Sequence, residues 1–473
     1  MPLVKERNLR YNVSWQEKKR SVAPYEKGTI MKLNYKRTCL IGLAFLSISA
    51  FWQMYDNIIP LILQNTFGLG ETITGTIMAA DNVLALFLLP VFGALSDKID
   101  TKAGKRMPFI VVGTALAIVF LMLLPIADKS LNLPLFVGAL FAMLVSMGIY
   151  RSPAVALMPD LTPNKLRSKG NAIINLMGTV GGVYTLIMIK VMVGSGDRPD
   201  YMPLFVSVAA FMVIAIIVLV LTIKEKKVKE IVEAEVKAYE EACGVQVETE
   251  DTLKTETLAE SGQTEIKKAM PKDVKRSMIF LLMSIFLWFT AYNAVTTAFS
   301  RYTKVVWKLE GGGFADCLLV ATIAAIISYI PIGNLTGKIG RKKMILCGIV
   351  MMTVCYGAAI FVGNYHPVMN LVFAIIGMGW AAINVNSYPM IVEMSKGCDL
   401  GKFTGTYYTF SMAAQVVTPI LSGILLENIS YRTLFPYATV FSALAFITMS
   451  RVRHGDVRPD KKKSALENFD IDD

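Results

Sequence analysis

Apolar residues come in runs of about 20 through most of this 473-residue chain, with short polar stretches between them. A helix rising about 1.5 Å per residue needs about 20 such residues to cross a bilayer. That rule places spans near 38–63, 72–95, 108–127, 134–157, 169–193 and 203–223, then near 277–299, 314–336, 343–363, 368–392, 403–426 and 432–450. The pattern predicts an all-α membrane protein of twelve transmembrane helices, six on either side of a polar stretch.

The polar stretches divide the chain and orient it. The tail 1–37, the loops at Lys98–Arg106, Lys165–Lys169 and Lys338–Lys343, and the end of the chain (Arg451, Arg453, Lys461–Lys463) are rich in Lys and Arg. The alternate loops are sparse, although 300–313 holds Arg301, Lys304 and Lys308. The excess of basic residues on cytoplasmic loops puts both termini in the cytoplasm of a cell membrane. The expected division is a cytoplasmic tail 1–37, a bundle 38–223, a charged cytoplasmic linker 224–276, a second bundle 277–451 and a tail 452–473. Lys224–Glu241 could form a surface helix with i,i+4 ion pairs, and the rest of the linker reads as a flexible, solvated connector. Residues 454–473 have the composition of a disordered tail.

Composition narrows the classes. With 54% hydrophobic and 18% charged residues, the chain is poorer in charge than a soluble protein, which carries about a quarter. The net charge of +12 is spread over loops between apolar runs, so nucleic acid is not an expected partner. Six scattered cysteines and two loop histidines form neither a disulfide framework nor a metal site. There is no P-loop and no nucleophile–base arrangement, so no ATP-driven or enzymatic chemistry and no cofactor are expected. The start of the chain lacks a signal-peptide pattern.

Two stretches half a chain apart resemble each other. The first run, Asp81-Asn82 to PVFGALSD (Pro90–Asp97), Lys98 and GKRMPFI (Gly104–Ile110), ends an apolar helix in a Gly-x-x-x-Asp turn with a basic corner. Ile332–Lys343 (IGNLTGKIGRKK) is a degraded second copy, with Gly337 where Asp97 stood. Trp52-x-x-Tyr55-Asp56-Asn57 has a counterpart in Trp288-x-x-x-Tyr292-Asn293, and Asp160-Leu-Thr in Glu393-Met-Ser. Duplication of this kind characterises secondary carriers, whose binding site lies near the midplane between the halves.

Ionisable or amide side chains inside a span are costly, and each is a functional candidate. Asp81 sits nine residues into the second span, about 13 Å deep, and is the first candidate for binding a proton or sodium ion. Asp56 is the second. It lies with Trp52, Gln53, Tyr55 and Asn57, a set that suits a sugar ring and its hydroxyls, or else an interfacial belt. Arg151 in the fourth span could pair with an acid, bind substrate or snorkel to the surface. Asn82, Asn171, Asn175, Trp288, Tyr292, Asn293, Trp380 and Asn384 complete the candidate cavity, the alternative for each amide being helix packing. Gly93, Asp97, Lys98, Gly104, Lys105, Arg106, Asp160, Arg167 and Glu393 read as hinge residues that hold one conformational state without touching substrate.

The whole chain apart from linker and tails resembles the major facilitator superfamily, on the motif Gly93-x-x-Ser96-Asp97-Lys98 followed by Gly104-Lys105-Arg106-x-Pro108-Phe109-Ile110. The basic-basic-x-Pro-Phe-Ile form is similar to that of sucrose-type carriers and, more loosely, of glycoside–pentoside–hexuronide:cation symporters. Ser152-Pro153-Ala154-Val155-Ala156-Leu157-Met158-Pro159-Asp160-Leu161 resembles the sucrose carriers' Gly-Pro-Cys-Arg-Ala-Leu-Leu-Ala-Asp-Leu, with Val155 in place of the Arg. The acid that those carriers hold earlier in the fourth span has no counterpart in 134–150. The resemblance implies a major facilitator fold, with Arg151 standing in for the missing Arg and Asp81 or Asp56 taking over cation coupling.

The expected function is secondary active transport: a sugar or glycoside taken up with H⁺ or Na⁺ by alternating access, in a monomer whose partners are its small-molecule substrate and the lipid bilayer. An exporter or drug/H⁺ antiporter is the alternative within transport, and a non-transporting membrane sensor or scaffold the alternative outside it.

Overall fold

The computed structural model describes residues 31–163, 166–196, 198–243, 271–394 and 400–456. Residues 1–30 of the expected tail 1–37, most of the linker (244–270) and the end of the C-terminal tail (457–473) lie outside the described residues.

Twelve helices among the described residues are long and apolar enough to cross a membrane. In order they are Tyr35–Asn65, Glu71–Lys98, Met107–Lys129, Leu133–Asp160, Arg167–Met192, Met202–Thr222, Lys272–Val305, Ala315–Ile339, Arg341–Ala359, Val368–Met394, Leu400–Asn428 and Tyr431–Ser450. Helices are what such sequences must form, because lipid offers no partner for backbone N–H and C=O groups. The first span is two helical pieces meeting at Gly42, and the twelfth opens with a 3-10 turn, Tyr431–Thr433.

The spans pack as two copies of one six-helix arrangement. In the N-terminal half the first span lies against the fifth and sixth, the third against the fourth and sixth, and the second against the fourth. Adding six to each ordinal gives the pairs of the C-terminal half: seventh with eleventh and twelfth, ninth with tenth and twelfth, eighth with tenth. The halves meet through the second span on the eleventh, the fifth on the eighth, and the first on the seventh. The fold is that of two pseudo-symmetric six-helix bundles.

One end of the bundle carries the hinge. Arg106 is buried where the third span begins, its Nε 2.8 Å from Asp160 Oδ2 and its Nη2 2.5 Å from Asp97 Oδ1. The third guanidinium nitrogen, Nη1, donates to Ser96 Oγ. Burial alone would depress the basicity of Arg106. Asp160, and then Asp97, outweigh it and hold its pKa above the ordinary value, so the clamp stays charged.

The connector corrects one expectation. Glu225–Cys243 is a helix, but it does not stand free in solvent. Glu225 is buried, and its carboxylate accepts from the backbone N–H groups of Lys105 (2.8 Å), Arg106 (3.0 Å) and Met107 (3.0 Å). These donors lie at the N-terminus of the third span, where Arg106 is the N-cap and Met107 the first helical residue, and a carboxylate there also complements the helix dipole. Val228 and Val232 are buried behind it, and Glu235 pairs with Arg37 at 3.1 Å. The helix is amphipathic, and its apolar stripe gave it a face to bury.

The C-terminal half repeats the device. Asp456 Oδ1 accepts from Lys342 N at 3.0 Å, at the start of the ninth span, and His454 Nδ1 lies 2.8 Å from Ser277 Oγ. The first residues of the expected disordered tail are therefore docked. Both capped corners begin with a left-handed glycine, Gly104 at φ 118° and Gly340 at φ 94°. A Cβ at either would also run into the capping carboxylate.

Replacing Glu225 with Ala strips three N–H groups of one acceptor. We expect a loss of about 1–2 kcal/mol, read as a lower melting temperature of the purified protein, with Glu225→Asp recovering part of it. An unchanged melting temperature would show that the contact is incidental.

Candidate functional site

A cavity of about 380 Å³ lies between the halves. The N-terminal half lines it with Gln53, Asp56, Asn57 and Thr179, all polar. The C-terminal half contributes an aromatic and aliphatic wall around Tyr292, Asn293, Tyr329, Tyr356, Phe373 and Trp380. Spacing along single helices explains the polar edge: Gln53, Asp56 and Asn57 are at i, i+3 and i+4 on the first span, so they share a face. Asn57 Nδ2 is tied to Gln53 O at 2.9 Å, while its Oδ1 is buried with no protein partner. That is an acceptor positioned for a bound donor.

Trp380 of the tenth span lies flat on Tyr292 of the seventh, with ring centroids 3.7 Å apart and planes within 1°. Phe289 packs on the indole in an edge-to-face arrangement, with ring centroids 5.3 Å apart. Both rings of the stack belong to the part of the lining that the C-terminal half supplies. Among the described residues, Asp56 is the one carboxylate of the lining, and no Lys, Arg or His joins it.

Asp81 is not in this cavity. It lies in a small crevice inside the N-terminal half, bordered by Trp52, Leu88, Leu144 and Arg151. Its Oδ1 accepts from Asn82 N (2.6 Å) and Asn82 Nδ2 (2.7 Å), which places Asn82 beside the acid as its partner. Arg151 sits with its guanidinium carbon 5.7 Å from the Trp52 ring centroid, within cation–π range. Asp56, Asp81 and Arg151 are close enough to interact electrostatically. Trp52, which borders the crevice, packs edge to face on Tyr55 with centroids 5.3 Å apart. The two acids proposed as alternatives thus occupy adjoining compartments.

The other candidates divide. Tyr55 and Trp288 are in the packed core of their halves, with 0% and 1% exposure, and do not reach the cavity. Asn384 is buried in the tenth span away from the lining. Asn171 and Asn175 are half-buried in the fifth span, and Thr179, one turn on, reaches the lining while donating to Asn175 O at 2.9 Å. Of the hinge set, Asp97, Arg106 and Asp160 form the clamp, and Gly104 shapes its corner. Gly93 approaches Ser152, whose hydroxyl donates to Leu89 O at 2.8 Å. Lys98 and the side chain of Lys105 are exposed, and Arg167 opens the fifth span. Glu393 faces Arg341 at 3.9 Å, the looser counterpart of the Asp160–Arg106 pair.

Some residues escaped the sequence reading. Thr179, Thr322, Tyr329 and Tyr356 look like ordinary helix-packing residues until the two halves are brought together around the cavity they line. Arg301 was counted as a loop charge, but the seventh helix runs on to Val305 and buries it.

The Major Facilitator Superfamily profile matches residues 41–328 and 309–470. The chain belongs to that superfamily and is a multi-pass membrane protein. It is 25% identical over 119 residues to an uncharacterized MFS-type transporter of Schizosaccharomyces pombe, a match taking in 25% of this chain and 26% of that one. It is 21% identical over 203 residues to the multidrug transporter protein MdtP of Bacillus subtilis, across 42% of this chain and 36% of the relative. The matches thus span about a quarter to a third of these relatives' lengths. Among solved structures, the nucleoside transporter NupG superposes with a TM-score of 0.62 at 15% identity, covering 88% of this chain and 100% of that one. At that identity the likeness is one of fold.

Arg106→Lys keeps the charge but not the fork that serves Asp97, Asp160 and Ser96 together. Losing one charge-assisted hydrogen bond costs about 1.5–3 kcal/mol. The variant is expected to stay folded, melt lower and turn over at least about tenfold more slowly. Wild-type turnover would remove the clamp from the transport cycle.

Proposed function

We propose that this protein is a secondary active carrier that moves a sugar or glycoside together with H⁺ or Na⁺ by alternating access. The observation that supports it best is the make-up of the central cavity. Amide, hydroxyl and carboxylate groups form one wall and a flat Trp380–Tyr292 plate the other. A pyranose has the same two characters: hydroxyls at its rim for hydrogen bonds, and an apolar C–H face that packs on aromatic rings. The volume of about 380 Å³ is at the lower end of ligand pockets. With one carboxylate and no base in the described lining, the site favours a neutral or cationic substrate over an anionic one.

The cation belongs with Asp81 and Asp56. A buried carboxylate is costly when charged and unpartnered, so binding H⁺ or Na⁺ there lowers the cost of reorienting the loaded carrier. Because the two acids interact, a cation at one alters the field at the other, next to the substrate, and coupling of this kind is reciprocal. Arg151 supplies a countercharge when neither acid is loaded. Basic residues on the hinge-end loops favour placing that end, and both termini, in the cytoplasm of the cell membrane.

The second reading is a drug/H⁺ antiporter. The largely aromatic C-terminal wall and the partial match to MdtP favour it. The direction of flux separates the two readings.

Asp81→Asn is expected to insert and melt like the parent while losing cation-driven accumulation; in proteoliposomes, downhill exchange of labelled sugar should persist. Unchanged gradient-driven uptake in that variant would exclude Asp81 as the coupling site. A thermal-shift screen of mono- and disaccharides, with sodium and pH varied, tests the substrate class. Stabilisation by hydrophobic cations but by no saccharide would favour the antiporter.

A further inference from the structure

Away from the cavity and the hinge clamp, the seventh and twelfth spans of the C-terminal half gather positive charge at the hinge end. Arg276, in the second turn of the seventh span, holds its guanidinium carbon 5.8 Å from the ring centroid of Phe280, one turn further on. Arg451, the C-cap of the twelfth span, holds its own 5.9 Å from the same ring. Both distances are within cation–π range. Both arginines are exposed, and among the described residues neither is ion-paired with a carboxylate. Of the acids at this corner, Asp273 is exposed in the first turn of the seventh span, and Asp456 is engaged with Lys342 N at 3.0 Å.

The convergence is built into the backbone register. The two spans pack on each other, and Ser284 Oγ and Thr448 Oγ1 tie them at 2.7 Å. Nearer the end, Ser277 Oγ accepts from Arg453 N at 3.2 Å and lies 2.8 Å from His454 Nδ1. These ties fix which residues stand opposite each other, and so bring residues 276 and 451 to one ring. Lys342 of the ninth span donates to Ser450 O at 2.9 Å, which sets a third positive charge beside Arg451. One turn towards the bilayer midplane the surface becomes apolar. Ile279 and Met283 lie three and seven residues past Arg276, Ile447 lies four before Arg451, and all three are exposed. Helical spacing puts each on the side of its own arginine.

We propose that this seam binds an anionic phospholipid, its phosphate held by Arg276 and Arg451 and its acyl chains laid on Ile279, Met283 and Ile447. Two like charges at one ring repel each other, and a phosphate between them replaces that repulsion with two attractions. Guanidinium forks match phosphate oxygens. Basic pockets between spanning helices are where acidic headgroups bind. A lipid answers both parts of the seam, the charged rim and the apolar strip below it, whereas a free phosphate answers only the rim. Every residue of the seam is in the C-terminal half and none lines the central cavity, so the lipid steadies that half without touching substrate.

Native mass spectrometry of the full-length protein, released from nanodiscs of equal phosphatidylglycerol and phosphatidylcholine, tests this. The parent should retain phosphatidylglycerol in preference, and Arg276→Gln combined with Arg451→Gln should lower that preference about tenfold. Lys102→Gln combined with Lys227→Gln removes the same charge from exposed positions at the same end and should leave the preference unchanged. An unaltered preference in the arginine variant would overturn the proposal. So would an equal fall in both double variants, which would make the preference one of overall charge. The parent protein gives a test that needs no variant to fold. Phosphatidylglycerol with a photoreactive acyl chain should label 276–283 and 444–451 about tenfold more than the phosphatidylcholine analogue. Equal labelling would overturn the proposal, and displacement of the phosphatidylglycerol label by equimolar inorganic phosphate would assign the seam to a free anion instead.

Discussion

A charge taken out of water has to be met by an opposite charge or by several hydrogen bonds, and this requirement places most of the informative residues here. At the hinge end, Arg106 is met by Asp97 and Asp160, and Glu225 by three backbone N–H groups. At the opposite end, Arg301 and Glu71 meet each other. The first set ties together helices of the N-terminal half and its connector, so it stiffens one rigid unit. The second crosses between units. The same physics thus serves as a brace within one unit and as a tie between the two.

Between those ends the requirement is left partly open. Asp56 faces the central cavity, and Asn57 turns an unpartnered acceptor into the buried polar wall. Asp81 Oδ1 accepts from the backbone and side chain of the neighbouring Asn82, and Arg151 acts on it electrostatically. Polar groups held short of satisfaction in a site that closes and opens are groups available to a passenger. Their concentration in the N-terminal half, against an aromatic plate in the C-terminal half, divides the labour: one half reads polarity and cation, the other supplies a surface to lie on.

The duplication runs deeper than the motif copies. Glu225 follows the sixth span and caps the third; Asp456 follows the twelfth and caps the ninth. No residue pattern around them is repeated, and the acids differ in type and distance from the preceding helix. They correspond only once the corners they cap are brought to them. The degraded second hinge, with Gly337 for Asp97, fits the looser 3.9 Å contact of Arg341 with Glu393.

The sequence by itself determined the number of spans, their limits to within a few residues and the hinge corner. Each of these is a local property: apolar length against bilayer thickness, and glycine with charge at a helix end. It also brought Gln53, Asp56 and Asn57 onto one face, because helical spacing is local as well. Only the tertiary structure decided which candidates share a compartment. Trp288 and Tyr292 are one turn apart in sequence, yet one is core and the other cavity, since the answer depends on which neighbour covers each face. Asp81 and Asp56 were ranked first and second on paper, and the fold puts Asp81 in a crevice of the N-terminal half and Asp56 in the lining of the central cavity. The partnership of Glu71 with Arg301 joins residues 230 positions apart. No local pattern announces such a contact, because it exists only where the two halves close on each other.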